Sequence, residues 1–240
     1  MSTQMPINGT ARFIEKVQLS ETIYEFTFEM INPAHLDFYA GQYIVLEVAP
    51  SEKRQYSIST SPLTSNTKFQ TVIDFKPKGL GTKYLENLKR DDQIKLIGQI
   101  GRFVLPEELK SNLFFIATGS GLSPLKAMIE TLILSGKYKD HKINLLFGSY
   151  KEAIYKNLFD KYVLEGKLHS YKIYFSGENI TQENNVFKGW VTKGLEDLDP
   201  SFIKGSQFFL CGNLDMIRSS QEMLSQQGVS AEDIYHEKFY

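Results

Sequence analysis

A single cysteine, Cys211, in 240 residues leaves no partner for an internal disulfide. It also leaves too few thiolates for an iron–sulfur cluster of the usual four-cysteine kind. The four histidines (His35, His141, His169, His236) show no i,i+4 pairing and no cysteine companions, so no metal site is expected. Neither sign of charge is in excess: 27 Lys and Arg face 28 Asp and Glu, which points to no nucleic acid and no membrane as partner. The longest apolar runs, 113–117 and 208–211, fall far short of a bilayer span. Residues 1–10 are polar and lack the basic-then-apolar signature of a secretion signal, so a cytoplasmic protein is the expectation. Internal repeats and low-complexity tracts are missing as well. Redox chemistry on such a chain would need an organic cofactor.

What is present is an ordinary globular composition, 42% hydrophobic and 23% charged, at a length that suits one large or two modest domains. Two rhythms divide it. From residue 11 to about 105, short alternating or β-branched segments fall at 12–17, 23–29, 43–48, 56–59, 69–75 and 93–98. Asn32-Pro33, Gly41, Pro50-Ser51, Ser61-Pro62 and Asp91-Asp92 punctuate them. This spacing predicts a small antiparallel barrel or sandwich, with one helix over 82–89 capped by Thr82. Beyond residue 111, strands at 113–117, 143–147, 171–175, 207–211 and 233–236 alternate with helices at 124–134, 152–164, about 192–198 and 214–227. That alternation predicts a parallel α/β sheet with right-handed crossovers, whose ligands sit beyond the carboxyl ends of the strands. The boundary falls near 106–112, giving domains 1–108 and 109–240.

Five segments carry the chemistry. Arg54-Gln55-Tyr56-Ser57 places a cation, an aromatic face and a hydroxyl in one extended run. On a strand, Arg54 and Tyr56 share a face and Ser57 takes the other. A guanidinium suits a diphosphate, a ring suits a flat ring system or sugar, and a hydroxyl suits a ring nitrogen. A flavin dinucleotide needs all three contacts. Lys76-Pro77-Lys78-Gly79-Leu80-Gly81-Thr82 sets two glycines ahead of a helix, where free N–H groups meet an anion; a plain glycine turn would read the same way. Thr118-Gly119-Ser120-Gly121-Leu122-Ser123-Pro124 follows a strand and precedes a helix, the place where a dinucleotide's pyrophosphate is held. Pro124 stands where the full fingerprint has its third glycine, and proline suits a first helical turn. The spacing Ser123-x-x-Lys126 lacks the S-D-N and K-T-G companions of penicillin-recognising serine enzymes. Cys211-Gly212-Asn213-Leu214-Asp215-Met216 is a second strand-to-helix turn, its thiol either a small core hydrophobe or a soft contact for a nicotinamide. The end, Glu237-Lys238-Phe239-Tyr240, finishes on two aromatics and so suits docking against something flat, with a dimer contact or core plug as the alternative.

In this order, and with Gly41-Gln42-Tyr43 and Gly98-Gln99-Ile100-Gly101-Arg102-Phe103 between them, these segments resemble the ferredoxin–NADP reductase superfamily. The resemblance spans nearly the whole chain. It includes R-x-Y-S intact and G-x-x-S-x-x-L with Thr82 in place of serine. It implies an N-terminal antiparallel Greek-key β-barrel that binds FAD and a C-terminal α/β domain that binds NAD(P). Residue by residue, it implies that Arg54 neutralises the FAD diphosphate, Tyr56 packs on the flavin–ribityl region and Ser57 lies near N5. Gly81 and Thr82 hold the diphosphate, with Gln55, Phe75 and Lys76 among the FAD contacts. Phe239 covers the isoalloxazine ring until nicotinamide displaces it, and Tyr240 reaches the adenine side or caps the tail. Thr118, Gly119, Ser120, Gly121, Ser123 and Pro124, with Gly212, Asn213 and Met216, take the NAD(P). Ser57, Cys211 and Glu237 form the catalytic group around nicotinamide C4 and N5.

NADPH-specific members commonly carry a Ser-Arg pair after the third strand. Here Ser176-Gly177-Glu178 stands at that place, and its carboxylate favours a ribose 2′-hydroxyl over a phosphate, so NADH is the expectation, unless Lys151 or another lysine admits NADPH. The resemblance implies a monomeric reductase for a small carrier such as ferredoxin or flavodoxin. An NAD(P)H:flavin reductase acting on free flavin, a reductase subunit of a multicomponent oxygenase and a nucleotide-sensing module are the alternatives.

Overall fold

The computed structural model describes residues 5–178 and 184–238. Its first half is a curled antiparallel sheet of β1 (Ile7–Gln18), β2 (Ile23–Asn32), β3 (Tyr43–Ala49), β4 (Glu52–Ser57), β5 (Lys68–Asp74) and β6 (Gln93–Ile100), in the order β4-β3-β6-β1-β2-β5. The ends of that order meet: Ile58 bridges Thr71, and Ser59 N–H donates to the Gln70 carbonyl at 2.8 Å. Closure in this way gives the Greek-key barrel the resemblance implied. Period-two patterning drives it, because Phe26, Phe28 and Met30 on β2 and Ile44, Leu46 and Val48 on β3 all turn inward. Phe13, Phe26, Phe28 and Phe69 fill the centre, with ring centroids 5.5 to 6.2 Å apart. A short helix, α1 (Leu80–Glu86), crosses between β5 and β6.

The second half is a parallel sheet of β7 (Asn112–Thr118), β8 (Lys142–Ser149), β9 (Ser170–Phe175), β10 (Val186–Lys188), β11 (Ser206–Gly212) and β12 (Ile234–Lys238), in the order β10-β9-β8-β7-β11-β12. Helices α2 (Leu122–Leu134), α3 (Lys156–Leu164), α4 (Lys193–Glu196), α5 (Pro200–Ile203) and α6 (Leu214–Gln226) connect the strands. β11 is buried along its whole length, as a strand with both faces covered must be. One core lies between the sheet and α2, and it reaches the barrel through Ala40, Val72 and Phe103. The other gathers Phe114, Leu146, Tyr174 and Phe208 against α4 and α6. Among the described residues, no helix is long and apolar enough to cross a membrane.

Several local expectations need correction. Thr82 does not cap α1: Gly79 is the N-cap, and the Thr82 hydroxyl donates back to the Gly79 carbonyl at 3.0 Å. β4 starts at Glu52 rather than 56, because its first four residues are all exposed and carry no alternation to read. α3 starts at Lys156 rather than 152, because Tyr155 adopts a left-handed φ of 59°. β10 and α5 were not anticipated from the sequence; at three and four residues they are too short to show a period.

Candidate functional site

The barrel and the sheet face one another across a cleft of about 1340 Å³, and the Arg54–Ser57 strand and the Gly119 turn both open into it. On the barrel wall, Arg54, Gln55, Tyr56 and Ser57 line the cleft in sequence. Arg54 and Tyr56 do share a face, and both flank Gly81: a Cβ there would strike Tyr56 Oη and lie 3.1 Å from Arg54 Cγ. Arg54 Nη1 donates to the Lys53 carbonyl at 2.7 Å and pairs with Glu52 at 3.1 Å, which holds the guanidinium at the rim. Burial pushes the Tyr56 phenol up to about 12, so it stays a neutral donor. Lys76 and Pro77 line the cleft beside them. Phe75 turns away to pack on Tyr24 and Phe26, at 4.9 and 5.7 Å between centroids.

On the sheet wall the two strand-to-helix turns are locked together through main chain. Gly212 sits at φ +144°, and a Cβ there would strike Thr118 Oγ1 and come within 2.9 Å of Thr118 N. That contact leaves the Thr118 hydroxyl free to accept from Asn213 N–H at 3.0 Å, while Asn213 Oδ1 caps α6 by accepting from Met216 N–H at 2.9 Å. Gly121 packs on the Cys211 peptide, where a Cβ would lie 2.6 Å from the Cys211 carbonyl carbon. Gly119 differs: no atom lies within 4 Å of its Cβ position, so the turn presents open backbone to the cleft. Thr118, Gly119, Ser120, Gly212 and Asn213 line that wall, whereas Ser123, Pro124 and Met216 are buried beneath it.

Where the walls meet, Ser57 Oγ donates to Glu237 Oε2 at 3.3 Å, joining residues 180 positions apart. β12 brings Glu237 there, in register with Cys211 on β11. Burial pushes the Glu237 carboxyl up to about 7, against the opposing pull of the Ser57 hydrogen bond. Cys211 is wholly buried, and desolvation, followed by the nearby Glu237 charge, raises its thiol well above the ordinary value. Ser57, Glu237 and Cys211 are thus brought together, with a carboxyl that gains and loses its proton near neutrality. Phe239 and Tyr240 lie outside the described residues. Tyr43 was missed as a site residue: it lines the same cleft, and burial and then Glu237 raise its phenol. The signal is Gly41-Gln42-Tyr43, a glycine turn leading straight into β3.

At the outer end, Ser176 Oγ lies 3.5 Å from the Ser149 carbonyl, and Gly177 N–H donates to the Tyr150 carbonyl at 2.8 Å, tying the loops after β8 and β9 together. Glu178 is exposed just beyond. Lys151 pairs with Glu21 of the barrel at 2.6 Å, Glu21 N–H donates to Glu152 at 2.7 Å, and Lys76 Nζ lies 5.8 Å from the centre of the Tyr150 ring. Tyr150 and Trp190 also line the cleft there, 62% and 73% exposed. Among the described residues no group of His, Cys, Asp and Glu could hold a metal ion.

Comparison with known proteins matches two family models to this chain in succession. The family described as the oxidoreductase FAD-binding domain matches residues 10–105, and the oxidoreductase NAD-binding domain matches residues 115–222. The toluate 1,2-dioxygenase electron transfer component of Pseudomonas putida is 28% identical over 92% of this chain. The chain spans 65% of that relative's length, so it matches only part of it. Ferredoxin–NADP reductase B of Sorangium cellulosum is 24% identical, with 95% of this chain and 96% of that protein covered. Among solved structures, the Amycolatopsis cytochrome P450 reductase GcoB superposes with a TM-score of 0.87 at 22% identity, covering 99% of this chain and 71% of the other.

Proposed function

Because the chain belongs to the ferredoxin reductase-like family, with an FAD-binding domain followed by an NAD-binding domain, we propose that it is an FAD-dependent NAD(P)H reductase that hands electrons to a separate carrier or oxygenase component. The observation that carries this reading is the Ser57–Glu237 hydrogen bond at the floor of the cleft onto which both turns open. The residues present fit the two nucleotides: Arg54, Gln55, Tyr56 and Lys76 line one wall of the cleft, and Gly119 leaves open backbone on the facing wall, whereas Gly81 and Thr82 do not line it.

A bound flavin supplies the means to turn a two-electron donor into single-electron transfers. The chain supplies the rest. Arg54 takes a diphosphate through charge-assisted hydrogen bonds, and Tyr56 gives a face for the attached ring system. Main-chain N–H groups at Gly119 and Ser120, ahead of α2, take the pyrophosphate of the second nucleotide. Ser57 Oγ and Glu237 Oε2 hold a proton between them at the floor of the cleft, and the raised affinity of the carboxyl lets it exchange that proton near neutral pH. The neutral Cys211 thiol packs beneath as a soft apolar surface and excludes water. Phe239 is the aromatic that would cover the flavin. On the ribose side, Glu178 and the engagement of Lys151 by Glu21 both favour NADH over a 2′-phosphate.

The carrier is proposed from the relative named as an electron transfer component. The test is to purify the chain, measure FAD content, and follow reduction by NADH and by NADPH before adding ferredoxin, flavodoxin and oxygenase components singly. A yellow protein reduced faster by NADH, and reoxidised by one of these acceptors, is expected. A colourless protein that gains no flavin on reconstitution would contradict the reading.

A further inference from the structure

The helix that begins at the Gly119–Gly121 turn also grips the barrel. Along α2, Ser123, Lys126 and Thr131 all reach the segment 57–61 at and just beyond the end of β4. Ser123 Oγ donates to the Ser57 carbonyl at 2.7 Å, Lys126 Nζ donates to the Ser59 carbonyl at 3.3 Å, and Thr131 Oγ1 lies 2.8 Å from Ser61 Oγ. The spacing is physically matched. Alternate carbonyls of an extended strand point the same way about 6.6 Å apart, and Ser123 and Lys126 are about 4.5 Å apart along the helix, with the long lysine stem making up the difference. On the other side of the same segment, Ile58 N–H donates to the Gln42 carbonyl at 3.0 Å and Ser59 N–H to Gln70 at 2.8 Å. Residues 57–59 are therefore clamped between the barrel and α2 through their main chain.

Lys126 is the centre of this seam. Only 6% exposed, it pairs with Glu130 at 2.9 Å and lies 5.2 Å from the centre of the Tyr155 ring. Tyr155 Oη in turn donates to Glu25 on β2, and Glu25 also accepts from Gln70 Nε2 at 3.0 Å. A buried ion pair is weak evidence of stability, since an apolar pair of similar volume often serves as well or better. What it does supply is direction: a charge donating to one chosen carbonyl sets the register of strand against helix. We propose that this polar seam, with Lys126 at its centre, is a positioning element that fixes Ser57 against the nucleotide-binding turn. α2 is rigid from the turn to the seam, so the separation of the two reacting rings is set within one helix. The inference rests on the reductase reading above.

The test compares wild type with Lys126→Met and with Lys126→Met/Glu130→Leu, all carrying FAD. The single variant leaves the half-hidden Glu130 unpaired and can fail by misfolding; the double variant removes both charges. In the double variant, FAD content and thermal midpoint are expected to match wild type, and the NADH dissociation constant to stay within about twofold. The rate of flavin reduction should fall at least about tenfold, the scale of loss when reacting groups are misplaced by a fraction of an ångström to an ångström. In the flavin-free protein, amide exchange at Ile58 and Ser59 should speed up while β1 and β2 stay protected. A double variant that reduces its flavin at the wild-type rate overturns the positioning role alone, as does one in which content, affinity and rate all fall together. Wild type that NADH cannot reduce overturns the reductase reading and the positioning role with it; the exchange result then decides only whether α2 clamps the strand.

Discussion

Gly81 on the barrel side and Gly121 on the sheet side both lie too close to their neighbours to carry a side chain, but they abut different kinds of atom. In the barrel, Gly81 abuts the far end of Tyr56 and the stem of Arg54, side chains that can move. In the sheet, Gly121 abuts the Cys211 and Gly212 main chain, which cannot. The barrel side thus meets its glycine with side chains from β4, and the sheet side with fixed backbone. On the proposed reading, one nucleotide would be held by side chains that can be tuned and the other by a turn that the fold itself builds.

The sharpest way to break that comparison is to place the same methyl in both turns. Gly121→Ala should destabilise the fold by about 3 kcal/mol, the upper range for overpacking against immobile atoms, whereas Gly81→Ala should lose about 1 kcal/mol or less. Urea unfolding of the two proteins measures the gap, and equal losses would show that the turns are equally stiff. Next in size, Arg54→Ala should leave the thermal midpoint of the flavin-free chain unchanged while weakening FAD binding about 10- to 100-fold, the worth of a charge-assisted contact. Retained affinity, read by flavin fluorescence, would move the diphosphate off this strand.

Glu237 offers a smaller, pH-dependent effect. Its carboxyl titrates near 7 in the folded chain and at the ordinary 4.5 when unfolded, so the fold binds an extra proton between those values. The stability it contributes is complete below about 4.5 and is lost as pH climbs through 7. Relative to Glu237→Gln, the flavin-free wild type should lose stability across that window and run level above it; a constant offset from pH 5 to 8 would mean that the carboxyl is well hydrated. The smallest effects concern the ribose end. Glu178→Arg should shift preference toward NADPH. Glu21→Gln, by releasing Lys151 from an exposed pair, should do so by only about two- to fivefold. An unaltered NADH to NADPH ratio in both would place the ribose elsewhere.

Much of the fold was legible because burial alternates where one face is wet, as on β2 and β3, and runs unbroken where neither is, as on β11. The start of β4 was not, because Glu52, Lys53, Arg54 and Gln55 are all exposed and leave no hydrophobic face to read; only the Arg54–Ser57 motif marked it. The motif residues were found one segment at a time, since each turn carries its own glycines. Their partnerships were not. That Ser57 meets Glu237, that Ser123 serves the Ser57 carbonyl and that Glu21 holds Lys151 depend on how two domains dock, and nothing within either segment encodes the other. Tyr43 went unassigned for the same reason: Glu237, whose charge acts on its phenol, comes from β12 of the other domain.

On the proposed reading, the two walls present a flavin and a pyridine nucleotide to each other at Ser57 and Glu237. Anaerobic mixing of the FAD-loaded chain with one equivalent of NADH tests it most directly. Loss of the oxidised flavin absorbance, slowed in Ser57→Ala, is the predicted result. A flavin spectrum untouched by bound NADH would contradict it.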